Sequence, residues 1–293
     1  MLRRYRLLFG GLLLVALLLG AVLAYSGMWP PVYVVESASM QHSDTESRFG
    51  IIDTGDMVIV QRSDGAGVRT YVDCYLDGDR SFGDYGDVII YQRYGLSDVT
   101  PVIHRAMLRL VYNASGPSFD IPSLAALPAE KWGNGNLPDG RWWHLGGVVE
   151  VFEIGYRSAT LRVDLAALLS LYVGQGLSHD GLITMGDHNL EHVNGEWLGI
   201  YDQASPAICR EPIKDEWIVA EAQIEIPWLG LIKLYAGGNL PPDTPNNSKT
   251  GLIAVIVLLI VVPLTIDITG SVLRKKGIHP WADLRKRFRR ERD

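Results

Sequence analysis

The sequence predicts a mainly β domain held between two transmembrane helices. Three observations carry that prediction. Short runs rich in β-branched residues recur through the middle of the chain, each bounded by Gly, Asp or Pro, which is the strand signature. Two long apolar runs stand near the ends, each with a basic flank on its outer side. The charge is graded in the same way. Residues 1–26 carry +3, residues 251–293 carry +5 and the whole 293-residue chain −6, which leaves −14 for residues 27–250. An acidic middle argues against nucleic acid as its partner, since phosphate backbones are bound by clustered Lys and Arg. At 47% hydrophobic and 20% charged residues, the composition is not that of a disordered chain.

The elements follow in order. Residues 1–6 hold Arg3, Arg4 and Arg6 and are expected in the cytoplasm. Leu7 to Tyr25 is a run of 19 residues without a charge, about 28 Å as a helix, close to the thickness of a hydrocarbon core. The run predicts a transmembrane helix over 7–26. It is longer than the apolar part of a cleaved leader, and it ends in Tyr25-Ser26-Gly27-Met28-Trp29-Pro30. Tyr25 and Trp29 suit the membrane interface. Residues 27–112 are the first part of the β domain, with strands at 31–35, 57–61, 87–91 and 102–104 and turns at 53–56 and 83–86.

Residues 113–180 read as an insertion or second subdomain. Its start, 113–145, is rich in Gly, Pro, Asn and Trp and reads as irregular; 147–163 looks extended and Leu165–Tyr172 helical. Residues 181–235 complete the domain, with 217–234 extended. Residues 236–250 read as a linker. Residues 251–273 predict a second transmembrane helix: Leu252 to Ile266 is uncharged, Pro263 is tolerable in a membrane helix, and Arg274-Lys275-Lys276 follows. Residues 274–293 form a basic tail, with Trp281, Leu284 and Phe288 on one helical face that suits a membrane interface. The positive-inside rule then places both termini in the cytoplasm and 27–250 outside, in a multi-pass protein of the cell membrane. Asn113-Ala114-Ser115 and Asn246-Asn247-Ser248 are sequons, and Cys74 and Cys209 form either one disulfide or two free thiols.

Four stretches carry chemistry: Glu36-Ser37-Ala38-Ser39-Met40-Gln41-His42; Thr54-Gly55-Asp56-Met57-Val58; Tyr85-Gly86-Asp87-Val88 continuing to Pro101-Val102-Ile103-His104-Arg105; and Thr184-Met185-Gly186-Asp187-His188-Asn189. In this order, behind an N-terminal anchor, they resemble the type I signal peptidases. The closer resemblance is to the archaeal and endoplasmic-reticulum branch, in which histidine stands where bacterial members carry lysine. His104-Arg105 occupies that place here. Glu225-Ile226-Pro227-Trp228-Leu229-Gly230 also resembles the closing strand of archaeal members. The resemblance covers about residues 30–105 and 180–235. It implies a signal-peptidase-type β catalytic domain with an irregular insertion, a serine endopeptidase that removes signal peptides from exported preproteins.

Roles follow from chemistry joined to that resemblance. A serine hydroxyl is a weak nucleophile and needs a base. A histidine, with an ordinary pKa near ~6.5, suits the task, and an acid must hold its tautomer. Ser39, His104 and Asp187 are the expected catalytic residues. The N–H of Ser39 and the Ser37 hydroxyl are the expected oxyanion donors. Asp56 and Asp87 compete for the acid's role, although their Gly-Asp settings read as turns. The branch carries a further aspartate a few residues after its Gly-Asp-x-Asn; this chain has none at that spacing, and Glu191 is the possible stand-in. Position 42, often proline in the family, is His42. His188 and His192, with His179 upstream, have a helical zinc spacing, but Gly186 and Asn189 favour a turn, so no metal or other cofactor is expected. The implied partners are secretory preproteins with small residues before the cut, the lipid bilayer and the export machinery, with no nucleic acid. The other reading is a catalytically inactive, membrane-tethered β module that binds extracytoplasmic proteins.

Overall fold

Strand-forming sequence dominates residues 30–226. The computed structural model describes residues 2–135 and 140–275, and the chain divides into two units, Met1–Ser248 and Lys249–Asp293. In the first unit, one sheet runs in the spatial order β1 (Val32–Val34), β2 (Met57–Arg62), β14 (Ile218–Ile226), β5 (Val88–Tyr91), β6 (Val102–Asn113) and β11 (Gly181–Met185), all neighbours antiparallel, with β7 (Ser118–Asp120) on the far end of β6. The second sheet runs β12 (Leu190–Val193), β13 (Glu196–Gly199), β10 (Ala159–Asp164), β9 (Val148–Ile154) and β8 (Trp132–Gly133). β3 (Arg80–Ser81) and β4 (Asp84–Tyr85) form a small ribbon. The helices are α1 (Leu2–Ser26), α2 (Tyr71–Asp77), α3 (Leu165–Gln175), α4 (Leu231–Gly237) and α5 (Asn246–Lys275).

The protein is thus mainly β, and the first sheet curls. Its edge strand β1 faces the start of β6 across a cleft, although β2, β14 and β5 separate the two strands within the sheet. Val35, Met40, Ile52, Val58, Val88 and Ile90 fill the hollow of the curl. Each such side chain contributes about 1.5–3 kcal/mol by leaving water. A second core, around Phe119, Leu161 and Tyr172, joins β6 to the second sheet.

Local sequence explains the short helices. Thr70 caps α2 in a reciprocal capping box with Asp73, and Gly78 ends it in the left-handed conformation. Asp164 accepts from the Ala167 N–H to start α3, and Gly176 ends it.

Several boundaries differ from the sequence expectation. β6 is twelve residues long rather than three, because His104, Arg105 and Arg109 mask an otherwise apolar strand. The extended stretch 147–163 breaks at the turn Gly155–Ser158 into β9 and β10. The stretch 217–234 stops being a strand at Ile226: Pro227 has no N–H to donate, Trp228 takes a positive φ of 63° and α4 follows. Within 113–145 lie β7, β8 and short 3-10 turns. The linker gives way at Asn246 to α5. Cys74 and Cys209 are both buried and free.

Among the described residues, Asn246–Leu273 is the one helix long and apolar enough to cross a membrane; Gly11–Ser26 is a shorter apolar helix. The tail beyond Lys275, with Trp281, Leu284 and Phe288, lies outside the described residues.

Candidate active site

Ser39 sits in a turn just after the edge strand β1. Met40 anchors that turn: its side chain is buried in the hollow of the curl. The Gln41 N–H bonds the Ala38 carbonyl at 3.1 Å, and the Gln41 side-chain oxygen accepts from the Thr54 N–H at 3.2 Å. A buried methionine and a tethered glutamine therefore leave the half-buried serine at the rim. Its hydroxyl pairs with the Ser37 hydroxyl at 3.1 Å rather than with a histidine.

His104 is fixed by the sheet. It pairs in register with Ile89 of β5 and is buried. Its Nδ1 lies 2.8 Å from both carboxylate oxygens of Asp202. Asp202 is fully buried in a short 3-10 turn, Asp202–Ala204. It also accepts from the Tyr91 hydroxyl at 2.7 Å and the Thr184 hydroxyl at 2.6 Å. A carboxylate that takes the Tyr91 and Thr184 hydroxyls as donors suits Nδ1 of His104 as a third donor. In the neutral ring that leaves the lone pair on Nε2.

Ser39 and His104 line one cleft of about 900 Å³, together with Ser37, Asn189, β1 and the start of β6. Gly186 governs how closely the parts approach. A Cβ there would lie 2.5 Å from the Ser39 carbonyl oxygen and 2.8 Å from His104 Nε2. No side chain fits at that position. The next turn is tied to the serine as well, through the His188 N–H and the Ser39 carbonyl at 2.8 Å.

The structure places the other sequence candidates elsewhere. Asp187 does not meet His104. It binds Arg105 through Nε at 2.8 Å and Nη2 at 2.6 Å, and His42 Nε2 at 2.9 Å. The reason is the pleat: successive residues on a strand face opposite sides, so a carboxylate bound to Arg105 lies across β6 from the His104 ring. Burial alone would raise the Asp187 carboxyl; the Arg105 guanidinium, with His42, outweighs it and holds the group down at about 2. Arg105 in turn donates to the Ser81 and Gly86 carbonyls at 2.8 and 2.7 Å. Asp56 closes the 53–56 turn by accepting from the Asp53 and Trp228 N–H groups, each at 2.8 Å, and burial pushes it up to about 8. Asp87 accepts from the Arg69 N–H at 2.7 Å, and burial raises it too. Glu191 is exposed on β12. His192 packs on Trp197, His179 lies 3.3 Å from Glu211, and His188 bonds the Tyr156 hydroxyl at 2.8 Å.

Sequence reasoning missed Asp202, Tyr91 and Thr184. The signal for Asp202 was present. Asn194-Gly195 joins β12 to β13 with φ of 52° and 92°, and an Asn-Gly pair between strands marks a two-residue hairpin turn. The neck of that hairpin is closed by the Ile200 N–H on the Asn189 carbonyl at 2.8 Å. With the hairpin set aside, the acid follows Asn189 within a few residues. Comparison with protein-family models, curated proteins and solved structures finds no match for this chain.

The arrangement brings a serine hydroxyl and a buried imidazole to one cleft. The ring is oriented by the Asp202 carboxylate, which the Tyr91 and Thr184 hydroxyls fix in place.

Proposed function

We propose that this protein is a membrane-anchored serine endopeptidase of the signal-peptidase type, removing N-terminal signal peptides from exported preproteins. The observation that carries the reading is the buried His104–Asp202 pair opening onto the same cleft as Ser39. The motifs around Ser39, His104 and Asp187 add to it by their order.

The chemistry runs as follows. Ser39 Oγ turns from Ser37 toward His104 when substrate enters, in keeping with catalytic hydrogen bonds that tighten only in the complex. Oγ attacks the scissile carbonyl carbon, and its proton passes to His104 Nε2. Asp202 stabilises the imidazolium through the Nδ1–H bond. The Ser39 N–H and the Ser37 hydroxyl donate to the oxyanion; one such donor is worth about 3–4 kcal/mol. The tetrahedral intermediate expels the amine of the mature protein, which takes the Nε2 proton. Water, deprotonated by His104, then attacks the acyl-serine, releases the signal peptide's carboxylate and returns the proton to Ser39.

Edge strand β1 suits an extended substrate. An unpaired edge supplies backbone hydrogen bonds, and the side chains beneath set which residues fit. Here Val32, Val34, Val102 and Ile103 line an apolar floor that suits small side chains before the cut. In this reading α1 and α5 are two membrane spans, both termini are cytoplasmic and the β domain faces outward, where it meets preproteins delivered by the export machinery.

The test uses the full chain purified in detergent and a preprotein with small residues before its cleavage site. Cleavage by the wild type and none by Ser39→Ala supports the reading. A wild type that binds the preprotein and leaves it intact is instead a non-catalytic binding module.

A further inference from the structure

The insertion 113–180 reaches the serine's turn through two residues. Its β9–β10 turn, Gly155–Ser158, projects Tyr156 and Arg157. The Tyr156 ring stacks on His42, centroids 4.7 Å apart and planes 10° from parallel. Its hydroxyl meets His188 Nδ1 at 2.8 Å. Arg157 binds Asp44 at 2.9 Å and lies 4.2 Å over the Trp197 ring of β13. His42 and Asp44 are three and five residues after Ser39. His188 closes the loop: its N–H holds the Ser39 carbonyl at 2.8 Å, its Nδ1 lies 3.1 Å from the Gln41 carbonyl and its Nε2 lies 3.1 Å from Asp44. His42 is also tied to Asp187 at 2.9 Å.

We propose that the Gly155–Ser158 turn is a brace for the nucleophile, with Tyr156 as a positioning residue that holds the Ser39–Asp44 segment against the Gly186–His188 turn. The proposal rests on the reading of Ser39 as nucleophile. Toward the core the segment has Met40 and Gln41 as anchors; on its outer side the contacts come from Tyr156, Arg157 and His188. Tyr156 touches neither His104 nor the cleft, so it acts through the backbone that carries Ser39. A displacement of about 1 Å at a nucleophile can cost about 10²-fold in rate. A brace of this kind lowers kcat when removed and leaves substrate binding in the cleft intact.

The experiment compares wild type, Tyr156→Ala and Tyr156→Phe, full chains in detergent, by preprotein cleavage and by amide hydrogen exchange. Tyr156→Ala should lower kcat by about 10- to 100-fold with KM within about twofold. Its amides at 39–44 and at His188 should exchange faster, while those of β14 stay as slow as in wild type. Tyr156→Phe keeps the ring on His42 and should lie between the two. An unchanged kcat, a rise in KM alone, or unchanged exchange at 39–44 overturns the brace. Faster exchange throughout the domain, β14 included, overturns it too, by showing a general loss of stability. If the wild type cleaves nothing, the peptidase reading falls on its own, and the exchange measurement still decides the brace.

Discussion

His104 and Arg105 are consecutive residues of β6, and each holds its own buried carboxylate. His104 takes Asp202 on one side of the strand, and Arg105 takes Asp187 on the other. The two acids therefore answer to different measurements. Asp202→Asn should lower kcat by about 10²- to 10⁴-fold, since an amide in that place favours the wrong tautomer, with the thermal midpoint little changed. Asp187→Asn leaves a fully buried guanidinium without its counter-charge and should cost about 3–5 kcal/mol of stability. Because Asp187 is held at about 2 in the fold, the stability it contributes is present above the unfolded pKa near ~4 and is lost as pH falls toward about 2. Steady-state kinetics and pH-dependent melting of both variants check this. A kinetic defect in Asp187→Asn with Asp202→Asn unaffected would reverse the roles.

Ser39→Ala and His104→Ala should each reduce cleavage by at least about 10³-fold while leaving the fold intact. The double variant should be no worse than either single one, because the two side chains act as a unit. Cleavage assays with circular dichroism on the same samples check it; wild-type turnover by either variant removes the mechanism.

The acids near α4 set an opposite pH trend. Burial raises Glu225 to about 7, Asp56 to about 8 and Asp53 in the same direction. The folded chain therefore keeps protons that the unfolded chain loses near pH ~4, and stability falls as pH rises from about 4 to about 8. Glu225→Gln keeps an acceptor for the Gly50 N–H, which Glu225 binds at 2.7 Å, and removes one of the titrations. Its melting temperature should decline less than wild type between pH 5 and 8. Parallel curves would refute the assignment.

The topology is read with reporter fusions. Alkaline phosphatase joined after residue 240 should be active in cells, and joined after Asp293 it should be inactive. Activity at the second junction would place the C-terminus outside and leave α5 without a crossing.

How much was legible in the sequence varies by element. The buried central strand Val88–Tyr91 and the body of α3, expected over Leu165–Tyr172 and found over Leu165–Gln175, show themselves in residue type alone. β6 did not, since the carboxylates that pair with its arginines lie more than 80 positions away: Asp187 for Arg105, and Asp215 for Arg109 at 2.8 Å. At the site, Ser39 and His104 are placed on one cleft, while the acid facing the histidine is not the one that spacing suggested. Counting residues after Gly186-Asp187 fails because the β12–β13 hairpin intervenes. Asp202 is distant along the chain, yet the paired β12–β13 hairpin, closed at its neck by the Ile200 N–H on the Asn189 carbonyl, returns the chain to the site.

The two free, buried thiols have a practical consequence. Nothing covalent ties the β domain together, so its folding does not wait on an oxidant. Burial raises both sulfhydryls, Cys209 to about 11, which keeps the reactive thiolate scarce at neutral pH. The chain can be produced in a reducing cytosol and refolded with reductant present, and alkylating reagents will find little to attack until it unfolds. The rate of thiol modification thus becomes a clock for unfolding that needs no label and no substrate.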